Sequence, residues 1–178
     1  MKRLVTLVLI LGLAVPALAQ DTAIPAHTVP EGNRADILEA PPRPGPGDVE
    51  ARARRLFDAI LRDDPAAATD FFLSREAFRA IKGIADPDGL WDRIFRMYQD
   101  DIHELHGEIP AGAEFVRFEF SRSRTQARRR EESNRLPYWA QRHNSIVYRV
   151  GTEERRIEVR TMIAWDDQWF ITNLSEFR

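Results

Sequence analysis

From Val49 to His106 the apolar residues recur at the helical period. Ala53, Leu56, Phe57, Ile60 and Leu61 fall on one side of a segment running from Val49 to Arg62, and Asp48 ahead of it is a good N-cap. Asp63-Asp64-Pro65 ends that helix, and Pro65 opens a second one through Ala66–Phe72. Ser74 caps a third helical stretch, Arg75 to Lys82, which Gly83 closes. Asp86-Pro87-Asp88-Gly89 is turn chemistry. A longer helix follows from about Leu90 to His106. Its stripe is Trp91, Ile94, Phe95, Tyr98, Ile102 and Leu105, and Gly107 and Pro110 stop it.

After Pro110 the period drops to two. Val116, Phe118 and Phe120 alternate with Phe115, Arg117 and Glu119, and Ile146, Tyr148 and Val150 alternate with Val147 and Arg149. Ile157, Val159, Thr161 and Ile163 alternate with Glu158, Arg160 and Met162. Gly151-Thr152-Glu153-Glu154 reads as a hairpin connection, and Asp166-Asp167 joins Trp165 to a last strand, Gln168 to Leu174. The pattern predicts an α+β fold: N-terminal helices packed on one face of a curved antiparallel sheet of about four strands.

Two segments precede this domain. Lys2 and Arg3, the apolar run Leu4 to Val15, and Ala17-Leu18-Ala19 ahead of Gln20 make up the three-part layout of a secretory signal peptide over residues 1–19. The apolar run is shorter than the ~20 residues a membrane-spanning helix needs. A bacterial protein exported to the periplasm or the medium is therefore expected, with no stable membrane span after processing. Residues 20–48 hold six of the eleven prolines and read as a disordered Pro-rich linker in which only Ile37-Leu38 offers anything to bury. Residues 49–178 then form a single α+β domain.

Composition narrows the chemistry. The chain has 178 residues, no cysteine and a formal net charge of −2. Disulfide scaffolds, thiolate metal sites, thiol nucleophiles and lipid attachment through cysteine are thereby excluded. No nucleic-acid partner is expected, because the balance is slightly acidic and the chain is read as exported. Charge is nonetheless uneven: residues 49–114 carry 9 basic and 14 acidic side chains, whereas residues 115–160 carry 12 arginines and 6 glutamates.

The run Leu56-Phe57-Asp58-Ala59-Ile60, then Asp63-Asp64-Pro65-Ala66-Ala67-Ala68 and Phe71-Phe72, resembles the opening helices of nuclear-transport-factor-like domains, the cone-shaped, cystatin-like α+β folds. The ending Trp165-Asp166-Asp167-Gln168-Trp169-Phe170-Ile171 is similar to their last hairpin. This resemblance covers most of residues 49–178, and the basic segment 122–143 departs from it by its length. It implies a conical pocket between helices and sheet, a setting that hosts both enzymes and binding modules.

Candidate chemistry is sparse. Asp100, His103 and His106 invite a metal reading, yet at the helical 100° per residue they spread over ~120°, too wide for one ion. His103 and His106 are thus only weak metal candidates, and no metal site or cofactor is expected. Asp70 stands beside Phe71-Phe72 as a candidate acid, with a solvent-facing or capping role as the plainer account. Arg135, Tyr138, Trp139, Arg142, His143 and Tyr148 are the candidate ligand- or partner-binding residues, since arginine and aromatic side chains together can stack on and pair with a ligand. For the strand arginines the simpler expectation is pairing with glutamates on neighbouring strands. No phosphate-binding glycine loop, nucleophile elbow or His-Glu-x-x-His pair occurs. The expected role is non-catalytic: an exported module binding a small ligand or an envelope partner. A small pocket enzyme (isomerase, cyclase or hydrolase) is the alternative, and a self-associating structural module, such as a homodimer formed through the sheet, is the third reading.

Overall fold

The computed structural model describes residues 29–34, 38, 40, 41 and 48–175. The expected signal peptide, residues 1–19, lies outside the described residues. Three α-helices come first: α1 (Asp48–Arg62), α2 (Arg75–Ile81) and α3 (Pro87–Glu108), with a 3-10 helix over Pro65–Phe71 between α1 and α2. Five strands follow: β1 (Glu114–Glu119), β2 (Arg124–Ala127), β3 (Tyr138–Val150), β4 (Glu153–Trp165) and β5 (Gln168–Asn173). All pairings in the sheet are antiparallel, in the order β1-β3-β4-β5, with β2 also paired to β3. The fold is α+β, as the change of period predicts. No helix among the described residues is long and apolar enough to cross a membrane.

The helices begin and end for local reasons. Ser74 Oγ accepts from the Ala77 amide at 3.1 Å, capping α2. Asp86-Pro87-Asp88-Gly89, expected as a turn, is the start of α3: Asp86 Oδ1 accepts from the Gly89 amide at 2.8 Å and Pro87 occupies the first helical position. Asp48 is already helical and pairs with Arg52 one turn on, at 2.6 Å. Asp63, with φ of 54°, turns the chain out of α1.

One apolar core joins the layers. Leu56, Phe57 and Ile60 of α1, Tyr98 and Ile102 of α3, and Ile146, Val159, Met162, Trp169 and Ile171 of the sheet are all essentially inaccessible. Phe72 lies among Trp91, Phe95 and Tyr98, with ring centres 4.9–5.9 Å away. The same residue bridges to Ile171 of β5, so the helical layer is fastened to the last strand.

The sheet departs from the expected pattern in two places. A bulge between Phe115 and Arg117 shifts the register of β1 on β3. Phe115 as well as Phe118 therefore packs toward the helices, against Phe57 at 6.1 Å and Phe71 at 6.5 Å, and Val116 loses the inward place its alternation predicts. Segment 122–143, expected as one long connection, contains the fifth strand: β2 pairs with Tyr138–Gln141 at the start of β3. β1 and β2 thus share one edge of β3. The corner between them is fixed by buried polar groups. Gln141 Nε2 donates to Ser121 O at 2.6 Å, and the Ser121 amide donates to Asn144 Oδ1 at 3.2 Å. Two turns close the hairpins: Gly151 has φ of 61°, and Asp166 and Asp167 have φ of 51° and 57°.

Part of the described Pro-rich stretch is seated on the domain, while Glu31, Arg34 and Ala40 stay exposed. Val29, Asn33 and Leu38 are buried. Asn33 Nδ2 reaches Pro137 O at 3.4 Å, and Gln126 Nε2 donates to Leu38 O at 3.1 Å. Ile37, the other residue expected to bury something there, lies outside the described residues.

Candidate functional site

Where α2 ends and α3 begins, the helices stand off the sheet and leave a pocket of about 520 Å³. Its helical side is apolar, with Leu73, Phe78, Ile81 and Ile94, and its sheet side is mixed, with Ala140 and Ile163 beside Thr125, Gln126, Thr161, Thr172 and Asn173. At the mouth, polar groups arrive from three parts of the chain. Lys82 ends α2, Glu132 lies in the turn before β3, and Tyr138 and Arg142 stand on β3 itself.

Lys82 is held in place. Its Nζ donates to Asn134 Oδ1 at 2.8 Å and to the Glu132 carbonyl at 3.3 Å, and it lies 6.0 Å from the centre of the Tyr138 ring. Burial lowers the pKa of this ammonium, and the nearby Glu132 carboxylate works against that shift. Tyr138 is buried and donates its hydroxyl to Glu132 Oε2 at 3.1 Å. Burial, then the charge of Glu132, pushes its phenol above the ordinary tyrosine range. The Glu132 carboxylate, more than half exposed, also lies 3.8 Å from both Lys82 Nζ and Arg142.

The backbone under these groups is unusual. Arg130, Glu132 and Ser133 have φ of 72°, 48° and 60°, and none is a glycine. Short bonds hold the turn: the Arg130 amide to Asn134 O at 2.7 Å, and the Gly83 amide to Ser133 O at 2.7 Å. Gly83 is needed there for space. A Cβ at this position would stand 2.8 Å from Arg135 Cγ and 3.2 Å from the Ser133 carbonyl oxygen.

Of the six candidate binding residues, the structure brings only Tyr138 and Arg142 to the pocket. Arg135 lies behind it, its Nε donating to Lys82 O at 2.9 Å, where it fastens the turn to the end of α2. Trp139 follows Tyr138 on β3 and so points to the other side of the strand, half-buried, with its indole nitrogen buried and lacking a hydrogen-bond partner. His143 is exposed, has φ of 59° and pairs with Glu158 at 2.6 Å. Tyr148 is a core residue whose ring is tilted against Phe57, with centres 5.6 Å apart. The aromatic–arginine set is therefore divided by strand alternation and by the length of β3.

The other candidates have structural partners. His103 pairs with Asp63, and His106 Nδ1 lies 3.0 Å from the Ile60 carbonyl oxygen, so both tie α3 to the end of α1. Asp100 is exposed, and no group of three or more His, Asp or Glu side chains suited to a metal ion occurs among the described residues. Asp70 is exposed and pairs with Arg55. On the outer face of the sheet the arginines do pair with glutamates. Arg117 reaches both oxygens of Glu154 at 3.0 and 3.1 Å and Glu119 at 2.6 Å, while Arg156 reaches Glu119 at 3.2 Å. Val147, opposite Arg117 and Arg156, is fully buried beneath this lattice.

Lys82 and Glu132 were missed by motif and spacing, because they meet only through the tertiary fold. One signal was present: Lys82 is the single lysine after residue 2, in a chain with 24 arginines. Compared with protein-family models, curated proteins and solved structures, the chain matches none.

Proposed function

We propose that this protein is an exported, non-catalytic binding module whose small ligand lies in the pocket between α2, α3 and the sheet, in a cone of nuclear-transport-factor-like shape. The observation that carries the reading is the pocket itself: about 520 Å³, with a mostly apolar helical side, uncharged polar groups among its sheet residues, and its charged groups confined to Lys82, Glu131, Glu132 and Arg142. An apolar side favours retention of an amphipathic molecule through area removed from water. General acid–base chemistry would need a carboxylate or histidine sunk in the apolar part. The acids here, Glu131 and Glu132, are at the exposed mouth, which weighs for binding over the pocket-enzyme alternative. The outer sheet face presents paired charge in place of an apolar patch, so it lends little support to self-association.

Non-denaturing mass spectra of the protein from the exported fraction of its native host test the reading. A stoichiometric small-molecule adduct is expected, and its mass names the ligand class. A bare chain that also takes up no small molecule from a host extract overturns it. N-terminal sequencing of the same sample tests export, with Gln20 expected as the first residue.

A further inference from the structure

We propose that the pocket takes an amphipathic monocarboxylate, an apolar chain or ring ending in one carboxylate, and that the Glu132 side chain holds the head-group position until such a ligand displaces it. The inference deepens the binding reading above and rests on it. Glu132 is met by three groups of different kinds: the Tyr138 hydroxyl at 3.1 Å, the Lys82 ammonium at 3.8 Å and the Arg142 guanidinium at 3.8 Å. A phenol, an ammonium and a guanidinium converging on one point form a carboxylate-recognition set. The chain's own carboxylate fills it poorly. Both cations stand beyond hydrogen-bond distance, and pairs as exposed as the Glu132 side chain, 56% accessible, hold weakly.

The segment carrying Glu132 is also the strained one. Left-handed φ at Arg130, Glu132 and Ser133, without a glycine among them, is disfavoured for L-residues. The turn beneath it is held by backbone bonds from Arg130 and Gly83, so only the Glu132 side chain has to move for a ligand head group to enter. The ligand's apolar part would then lie on Leu73, Ile81, Ile94 and Ile163. A single negative charge suits the mouth better than two, because Glu131 also faces it.

Calorimetric titration of the full chain with decanoate and, separately, decanol tests this. Decanoate is expected to bind about tenfold or more tightly than decanol, as a charge-assisted hydrogen bond at the head would require. Glu132→Gln is expected to tighten decanoate about tenfold and leave decanol unchanged. Lys82→Met should abolish the preference. Should that variant fail to fold, Arg142→Gln, at an exposed position, is expected to weaken it several-fold on the same physics. Equal binding of both probes, with no effect of Glu132→Gln, overturns the carboxylate assignment and leaves the pocket reading intact. Binding of neither probe overturns the assignment too, and the mass spectra of the native-host protein then decide the pocket reading separately.

Discussion

Lys82 and Asn134, 52 residues apart, are joined twice: by a 2.8 Å bond from Nζ to Oδ1 and by an isolated antiparallel backbone bridge. This contact ties the end of α2 to the turn that carries Glu132, so the two sides of the pocket opening are positioned by one part-buried polar pair. Asn134→Ala removes the acceptor and leaves a half-buried ammonium short of a partner. A loss of about 1–3 kcal/mol in unfolding free energy is expected, read by urea denaturation. A cost below a few tenths would show that the bridge, not the side chain, holds the turn.

Phe72 bears a larger load. It is 2% exposed, contacts three aromatic rings and bridges to Ile171. Phe72→Ala should cost about 3–5 kcal/mol, because no neighbour can collapse into the space without breaking the ring cluster. Denaturant midpoints check it. Phe72→Leu, which keeps most of the volume, should cost about half as much or less.

These two residues mark what the sequence discloses and what it withholds. Phe72 closes a run whose start at Pro65 is readable directly, as are the stripes of α1 and α3 and both hairpin turns, although it stands extended and bridged to Ile171 where a helix is expected. Each is a local pattern. The bulge in β1 is not, because Val116 continues the alternation and nothing local says that Phe115 will replace it. β2 hides for a related reason. Its residues are Arg-Thr-Gln-Ala, with no apolar period, because a short edge strand buries little. The pocket mouth is least legible of all. Lys82, Glu132 and Arg142 share no spacing, and only the folding of the turn onto the end of α2 brings them together. Tyr148 reads as a pocket aromatic because alternation gives a face but not a position along a 13-residue strand.

The β4–β5 turn offers a stabilising change. Asp166 and Asp167 both have positive φ, as a two-residue hairpin turn demands, and glycine is the favoured residue at the second position. Asp167→Gly relieves the left-handed strain but adds freedom to the unfolded chain. The net gain expected is a few tenths to about 1 kcal/mol, since the strain removed is the larger quantity. A higher urea midpoint at unchanged slope would bear this out, and a lower one would show that the Asp167 side chain stabilises the turn.

The outer lattice sets a pH dependence of definite sign. Hydrogen bonds from Arg117 lower the carboxyl pKa of Glu154, and those from Arg117 and then Arg156 lower that of Glu119. A carboxylate whose folded pKa lies below its unfolded value adds stability above the unfolded value, and that contribution is lost as pH falls through the folded one. Arg117→Gln should therefore lower the melting temperature at about pH 7, and the gap to the unaltered protein should narrow as pH drops below the ordinary glutamate range of about 4.3. The two acids should respond unequally. Glu119 keeps Arg156 at 3.2 Å, whereas Glu154 loses its bidentate partner. Carboxyl NMR titration should show Glu154 moving back to its ordinary value and Glu119 only part of the way. Equal movement of both would mean that Arg156 does not reach Glu119 in solution, and that Arg117 alone organises the charges over Val147.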